Sequence, residues 1–263
     1  MIHTALSSAA LIGSPYASIL ESATKAGVHG IEWSYDSGLE PGNIAQAEDL
    51  MMATLRAGLS TASYASLFRV GVHSGEAFSA LLATARALHA PIIRLWAGDK
   101  SPSPERDAED FASSVRILAD RAADEGVTLC LGMGRGSALD SYERARLLLE
   151  AADHPFVKLC WEPLPGSSFD GAMEAFSSLV GRVGILCARS SGKRSENILL
   201  RDKAEDWLLY LDAFDEQGGA PDMARYVVIR SFKDGRPESL ADDVRLVRHW
   251  AEKLRRYRRR RLL

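Results

Sequence analysis

Short apolar runs recur along the chain, and longer segments with apolar residues at every third or fourth position separate them. The runs are rich in Val, Ile and Leu, which is typical of β-strands buried on both faces. A brief turn, often containing Gly or Pro, leads from each longer segment into the next run. The predicted strands are Ile2–Leu6, Gly30–Trp33, Leu59–Tyr64, Ile92–Trp96, Val127–Leu131, Val157–Trp161, Val183–Cys187 and Tyr226–Ile229.

The longer segments have the period of amphipathic α-helices. Alternation of strand and helix is typical of parallel βαβ units, and eight such units in 263 residues favour a closed α/β fold, a single (β/α)8 barrel. An open doubly wound sheet is the alternative, but its phosphate-binding turn is missing, because SSAALIGSPY after strand 1 has one glycine and no GxGxxG. The predicted helices are Ala17–Ala26, Ile44–Ala57, Gly75–His89, Ala108–Glu125, Ser141–Ala152, Ala172–Val180, Asp202–Phe214 and Leu240–Leu254.

Residues 1–263 contain no internal repeat, linker or break in composition, so we predict a single domain. A content of 46% hydrophobic and 25% charged residues suits a globular domain with one large core. No apolar run approaches the roughly 20 residues that span a bilayer, and the start of the chain lacks the basic segment of a secretion signal. We therefore expect a cytoplasmic protein that does not bind membranes, with Cys130, Cys160 and Cys187 reduced.

The last predicted helix ends in the basic run KLRRYRRRRLL, although the net charge of the chain is −3. We interpret about 253–263 as a basic C-terminal extension of the domain. Such a run could contact nucleic acid, but the acidic remainder of the chain repels a phosphate backbone. A solvated, fraying helix end is therefore favoured, and nucleic acid is not expected as a partner.

Segments at six of the strand ends resemble those of one protein family in their order and spacing. They are GIEWSYD, SYASLFRVG, IIRLWAG, GVTLCLGMGRGSALDS, HPFVKLCWEP and RYVVIRSFKDG. Together they are similar to the sugar phosphate isomerase/epimerase family, the xylose isomerase-like TIM barrels related to endonuclease IV. The resemblance covers nearly the whole chain and implies a TIM barrel.

The resemblance also implies a divalent Mn, Mg, Co or Zn ion between the ends of strands 5 to 8, which polarises a ketose carbonyl while a glutamate moves a proton. This sequence departs from the family at most ligand positions. After strand 5, Gly132-Met133-Gly134 replaces Glu-x-His, and after strand 8 Arg230 replaces a glutamate. Glu162 after strand 6 is the one remaining carboxylate at a family ligand position. We therefore expect a degenerate metal site and no cofactor.

A different set of polar and aromatic side chains is predicted at the strand ends. Alternation along strand 4 places Arg94 and Trp96 on one face. Guanidinium groups there would suit a carboxylate or phosphate on a sugar-like body. Two plainer interpretations remain open: the arginines and glutamates could neutralise each other, and the aromatic rings could fill the barrel. The predicted ligand-binding residues are Arg230, Arg94, Trp96, Tyr64, Trp33, Lys233 and Arg189.

Two functions are consistent with this set of residues. The first is a barrel that has lost metal-dependent catalysis and binds a small sugar-like or anionic molecule. The second is an active sugar isomerase or epimerase, in which Glu162 or Glu32 moves the proton and Arg230 or Lys233 replaces the metal as the electrophile. An arginine stabilises an enediolate less strongly than a divalent ion does, and the loss of metal ligands at four strand ends favours the first function.

Overall fold

The structure is a computed structural model that describes residues 1–99, 104–134, 136–189, 198–218, 223–230 and 237–261. Within these residues, eight parallel strands pair in chain order and close into a barrel. The predicted (β/α)8 barrel is therefore confirmed, and the open sheet is excluded. The strands are β1 Ile2–Ser7, β2 Gly30–Ser34, β3 Ser60–Arg69, β4 Ile92–Trp96, β5 Thr128–Gly132, β6 Val157–Trp161, β7 Val183–Ala188 and β8 Arg225–Ile229.

An α-helix follows each strand and packs around the outside of the barrel. Serine side chains accept hydrogen bonds from the first backbone N–H groups of several helices, for example Ser74 from Ala77 and Ser168 from Gly171. Gly27 ends the first helix in a left-handed conformation with φ 75°, which glycine adopts without steric cost. The helices are α1 Tyr16–Ala26, α2 Ile44–Arg56, α3 Gly75–Ala87, α4 Pro104–Ala123, α5 Tyr142–Ala152, α6 Phe169–Leu179, α7 Ala204–Gln217 and α8 Pro237–Arg261.

Strand β3 is longer than the sequence predicts, because it continues from Tyr64 to Arg69. Its register against β4 shifts between Ala65 and Arg69, and the backbone N–H of Val70 then donates to the carbonyl of Trp96 at 2.9 Å. The extra residues carry β3 beyond the edge of the barrel on the side where the strands end.

The basic C-terminal segment also differs from the expected fraying end. Helix α8 continues through Arg261, and Arg258 is held by three acidic residues of α7. Its Nη2 lies 2.5 Å from Oδ1 of Asp212, its Nη1 lies 3.1 Å from Oδ2 of Asp215, and its Nε lies 3.6 Å from Oε1 of Glu216. The acidic face of α7 therefore anchors the end of α8.

Two apolar clusters form the core. The larger lies between the strands and the helices and contains the most deeply buried large rings, including Trp33, Trp161, Phe176 and Phe214. The smaller lies inside the barrel and consists of Ala5, Ala62, Ile92, Cys130, Cys160, Ile185, Cys187, Tyr226 and Val228. The three cysteines are thus buried free thiols. No helix in the described ranges is long and apolar enough to cross a membrane.

Candidate functional site at the barrel mouth

A buried carboxylate lies inside the barrel near the C-terminal ends of the strands. Glu32 on β2 has no exposed surface, and it accepts hydrogen bonds from two serines on the flanking strands. Ser7 Oγ donates to Oε1 at 2.8 Å, and Ser63 Oγ donates to Oε2 at 3.0 Å. Neither serine was predicted from the sequence. Ser63 in particular is opposite Glu32 because the register between β2 and β3 shifts just before that residue.

Two arginines approach the same carboxylate. Arg94 on β4, whose side chain is 4% exposed, places Nε 3.4 Å from Oε2 of Glu32. Arg230 directly after β8 places its Nε 3.9 Å from Oε1. Both Nε atoms are buried, and neither has a hydrogen-bond partner among the described residues. Glu32 is therefore shared by two guanidinium groups without satisfying either of them fully.

Glu162, immediately after β6, completes the charged set. Its Oε2 lies 3.4 Å from Nη1 of Arg230, and its side chain is 11% exposed while that of Arg230 is 22% exposed. Glu32, Arg94, Glu162 and Arg230 thus form one network of two negative and two positive groups, which we call the mouth network. Arg230 and Glu162 are thus paired, which is one of the interpretations that the sequence left open, and Glu162 is the carboxylate of this network that reaches solvent.

The electrostatics of the mouth network keep Glu32 ionised. Burial raises the pKa of the Glu32 carboxyl. Arg94, Arg230 and the two serine hydrogen bonds lower it by a larger amount, so the net pKa lies below its ordinary value. Burial lowers the pKa of Arg230, whereas neighbouring acidic groups, including both glutamates, raise it. The net pKa of Arg230 lies above its ordinary value. Both partners are consequently charged at neutral pH.

A pair of thiols lies close to the network. The Sγ atoms of Cys160 and Cys187 are 2.9 Å apart. The hydrogen bond between the thiols, followed by burial, raises the pKa of Cys160 well above its ordinary value. At neutral pH Cys160 is therefore an uncharged thiol and adds no anion to the guanidinium groups.

Among the described residues, those at the ligand positions that the resemblance implies are unfavourable for a divalent ion. Glu162 carries a guanidinium within ion-pair distance, and a cation beside Arg230 would be repelled. At the end of β5, the indole of Trp96 occupies the space next to Gly132 and Gly134: a Cβ on Gly134 would lie 3.0 Å from its Cζ3, and one on Gly132 would lie 3.6 Å away. Within the described residues, no group of three or more His, Cys, Asp or Glu could hold a metal ion.

The other predicted ligand-binding residues are divided between several places. Trp33 and Tyr64 do not face the mouth: the Trp33 indole donates to Thr54 Oγ1 at 3.1 Å, and the Tyr64 hydroxyl donates to the Leu39 carbonyl at 2.8 Å. Both are fully buried outside the barrel wall, because they follow Glu32 and Ser63, which point inward. Trp96 is half-buried at the end of β4.

The two remaining basic residues give less information. Arg189 follows β7 and is half-buried. It has a partner in the structure, and so it is not a free cation. Lys233 lies outside the described residues.

The fold and the polar set inside its mouth define an α/β-barrel protein with its candidate site at the C-terminal ends of the strands, where barrel enzymes carry their active sites. The model of the family described as xylose isomerase-like TIM barrel matches residues 20–183, more than half of the chain. The chain therefore belongs to the xylose isomerase-like TIM barrel family. A comparison with curated proteins finds no match.

Solved structures share the fold at low sequence identity. The probable 3-DHS dehydratase AsbF from Bacillus anthracis is 13% identical with a TM-score of 0.73, over 94% of this chain and 98% of that one. An L-ribulose 3-epimerase is 18% identical with a TM-score of 0.71, over 98% and 97% of the two chains. The IOLI protein, solved with a bound zinc atom, is 16% identical with a TM-score of 0.68, over 96% and 97%. These similarities establish the architecture alone.

Proposed function

We propose that this protein binds a small sugar-like or anionic molecule at the barrel mouth and has lost the family's metal-dependent catalysis. The observation that carries the proposal is the mouth network, in which the buried Nε atoms of Arg94 and Arg230 have no hydrogen-bond partner among the described residues. Oxygen atoms of a ligand would satisfy these two donors.

The geometry around these two atoms supports this proposal. Arg94 Nε lies 3.4 Å and Arg230 Nε lies 3.9 Å from Glu32, and each oxygen of Glu32 already accepts a serine hydroxyl. A buried donor without a partner costs roughly 1–3 kcal/mol. Carboxylate, phosphate or sugar hydroxyl oxygens would satisfy Arg94 and Arg230, and the planar fork of arginine favours a carboxylate or phosphate. The sugar epimerases among the solved neighbours support a sugar-like body.

Calorimetry with gluconate and fructose 6-phosphate in the presence of EDTA tests the proposal. We expect saturable binding to the wild type and a loss of about tenfold or more in Arg230→Ala, because a hydrogen bond to a charged group contributes roughly 1.5–3 kcal/mol. The control is Arg86→Ala, which removes an exposed arginine of α3 that pairs with Glu125. Equal affinity in wild type and Arg230→Ala would remove Arg230 from the site, and absence of binding by sugar acids and sugar phosphates alike would refute the proposal.

The absence of a bound metal is a separate part of the proposal. We expect less than stoichiometric Mn, Co, Mg or Zn in the purified protein by elemental analysis. We also expect no saturable rise in melting temperature when these ions are added. Stoichiometric metal, or a saturable shift that Glu162→Ala abolishes, would overturn the metal-free interpretation.

A metal-independent isomerase or epimerase is the second candidate, and the partial exposure of Glu162 favours it. Glu162 can reach a bound ketose, with Arg230 beside it as a cation for a developing oxyanion. Glu32 is a poor proton shuttle in this scheme, because it is fully buried and its pKa is lowered. Incubation of ketoses in D2O with EDTA tests it: deuterium incorporation next to the carbonyl that Glu162→Gln abolishes supports catalysis, and no incorporation supports binding alone.

We also propose that the protein resides in the cytoplasm. Its three cysteines are free thiols, which suits a reducing compartment. Arg258 is already paired with acids of α7, so part of the basic C-terminal run is not available to nucleic acid. Cell fractionation checks the location, and a gel-shift assay with duplex DNA at physiological salt, in which we expect no complex, checks the partner.

A further inference from the structure

A second candidate binding site lies beside the mouth, where β3 runs past the barrel edge. This β3–α3 recess has a volume of about 570 Å³. Its walls come from the loop after β2, the end of β3, helix α3 and the end of β4, and include Tyr35, Phe68, Arg69, His73, Ala77 and Trp96. Small-molecule sites typically measure about 300–1,000 Å³ and combine aromatic walls with a few polar groups. The recess therefore has the size and composition of a ligand site.

The aromatic walls of the recess are fixed in place. Phe68 is buried and packs edge-on against Phe78 with ring centres 5.5 Å apart, and against the imidazole of His73 at 5.3 Å. Trp96 is held at the end of β4, with its ring next to Gly132 and Gly134. Fixed rings of this kind favour a flat cyclic ligand, because stacking on them requires little reordering of side chains.

Two donors stand at the edge of these walls. The backbone N–H of Arg69 donates to Nδ1 of His73 at 2.8 Å, so the neutral ring carries its proton on Nε2. Nη1 of Arg69 contacts Oδ1 of Asp99 at 2.5 Å. The other N–H groups of this guanidinium do not take part in that contact. Asp99 is 69% exposed, and an ion pair at such a position contributes little. A ligand carboxylate can therefore engage Arg69 without a large loss.

We propose that the β3–α3 recess binds a small carboxylic acid with a flat ring. The ring lies against Trp96 and Phe68, and the carboxylate accepts hydrogen bonds from Arg69 and His73. A second copy of the chain is a poorer occupant, although Leu67 and Val72 are exposed on the same rim. A flat protein surface would leave the cavity empty, whereas stable interfaces are closely packed.

The test compares benzoate with benzamide, which has nearly the same shape and no charge. We expect calorimetry to show one saturable benzoate site per chain and binding of benzamide weaker by about tenfold, the difference of one charge-assisted hydrogen bond. Arg69→Gln should lower benzoate affinity by a similar factor. Ala77→Phe should abolish binding by filling the recess, while Ala83→Phe, an exposed position of the same helix outside the recess, should bind as the wild type does.

Circular dichroism and melting curves establish that each variant is folded before titration. Equal binding of benzoate and benzamide would overturn the role of Arg69, and benzoate binding that survives in Ala77→Phe would place the site elsewhere. Failure of both probes to bind would also overturn the proposal. A wild-type dimer that Ala77→Phe converts to a monomer would identify the recess as a contact between copies. None of these outcomes depends on whether the mouth network binds a ligand.

Discussion

Replacement of Glu32 by glutamine tests whether the buried carboxylate holds the mouth network together. Glutamine keeps the shape of the side chain and can still hydrogen-bond Ser7 and Ser63. It removes the negative charge that lies 3.4 Å from Arg94 Nε and 3.9 Å from Arg230 Nε. The substitution therefore leaves two guanidinium groups in a buried region with Glu162 as the remaining carboxylate of the network.

The magnitude follows from the burial of the partners. Removal of one member of a buried ion pair costs about 3–5 kcal/mol, because the other charge stays desolvated. Since the amide retains hydrogen bonds to the serines, we expect the lower end, about 3 kcal/mol. For a domain of this size, each kcal/mol lowers the melting temperature by roughly 2–4 °C, so the expected fall is about 6–12 °C.

Urea unfolding followed by tryptophan fluorescence provides the assay, with calorimetric melting as a second measurement. Glu162→Gln, at an 11% exposed position with one partner among the described residues, should cost less than Glu32→Gln, and Glu48→Gln on the exposed face of α2 should leave the midpoint unchanged. A Glu32→Gln protein as stable as the wild type would refute the reasoning. In that case the guanidinium groups would have to be satisfied without the carboxylate.

The remaining predictions concern pH, packing and the C-terminus. Because the pKa of Glu32 is lowered in the folded state, the unfolded chain binds the proton first as pH falls. At pH values below the ordinary pKa of glutamate, the stability of the wild type should therefore fall more steeply than the stability of Glu32→Gln. Urea midpoints from pH 7 to pH 3 check this, and parallel curves for the two proteins contradict it. Gly134→Ala should cost about 1 kcal/mol through contact with the neighbouring indole, whereas Gly132→Ala should be nearly neutral; melting curves that rank them in the reverse order count against the packing. Arg258→Ala should lower the melting temperature, while Arg256→Ala, at a 79% exposed position, should not. Hydrogen exchange of the backbone amides at the end of α8 should be faster in Arg258→Ala than in Arg256→Ala.

The barrel could be predicted from the sequence because its strands are short apolar runs separated by helices of clear period. The end of β3 could not, since Ala65 to Arg69 continue the strand only through a shifted pairing with β4 and a contact to the Trp96 carbonyl. Those contacts depend on residues distant along the chain. The sequence carries no local sign of them.

Part of the candidate site could also be predicted from the sequence. A barrel carries its functional residues near the C-terminal ends of the strands, and the polar residues predicted there include Arg94, Arg230, Glu32 and Glu162. Trp33 and Tyr64 were predicted to bind the ligand but face the helices, because strands buried on both sides do not reveal which residues point into the barrel. Both serines on Glu32 were missed for the same reason.

The packing of Trp96 against Gly132 and Gly134 dictates the order in which a metal centre could be engineered into this barrel. An imidazole or carboxylate introduced at position 134 begins with a Cβ 3.0 Å from the indole, so a new ligand there would compete with Trp96 for the same space. Trimming Trp96 first opens that volume for a ligand at position 134. Design libraries that vary this ligand position should therefore vary Trp96 together with it.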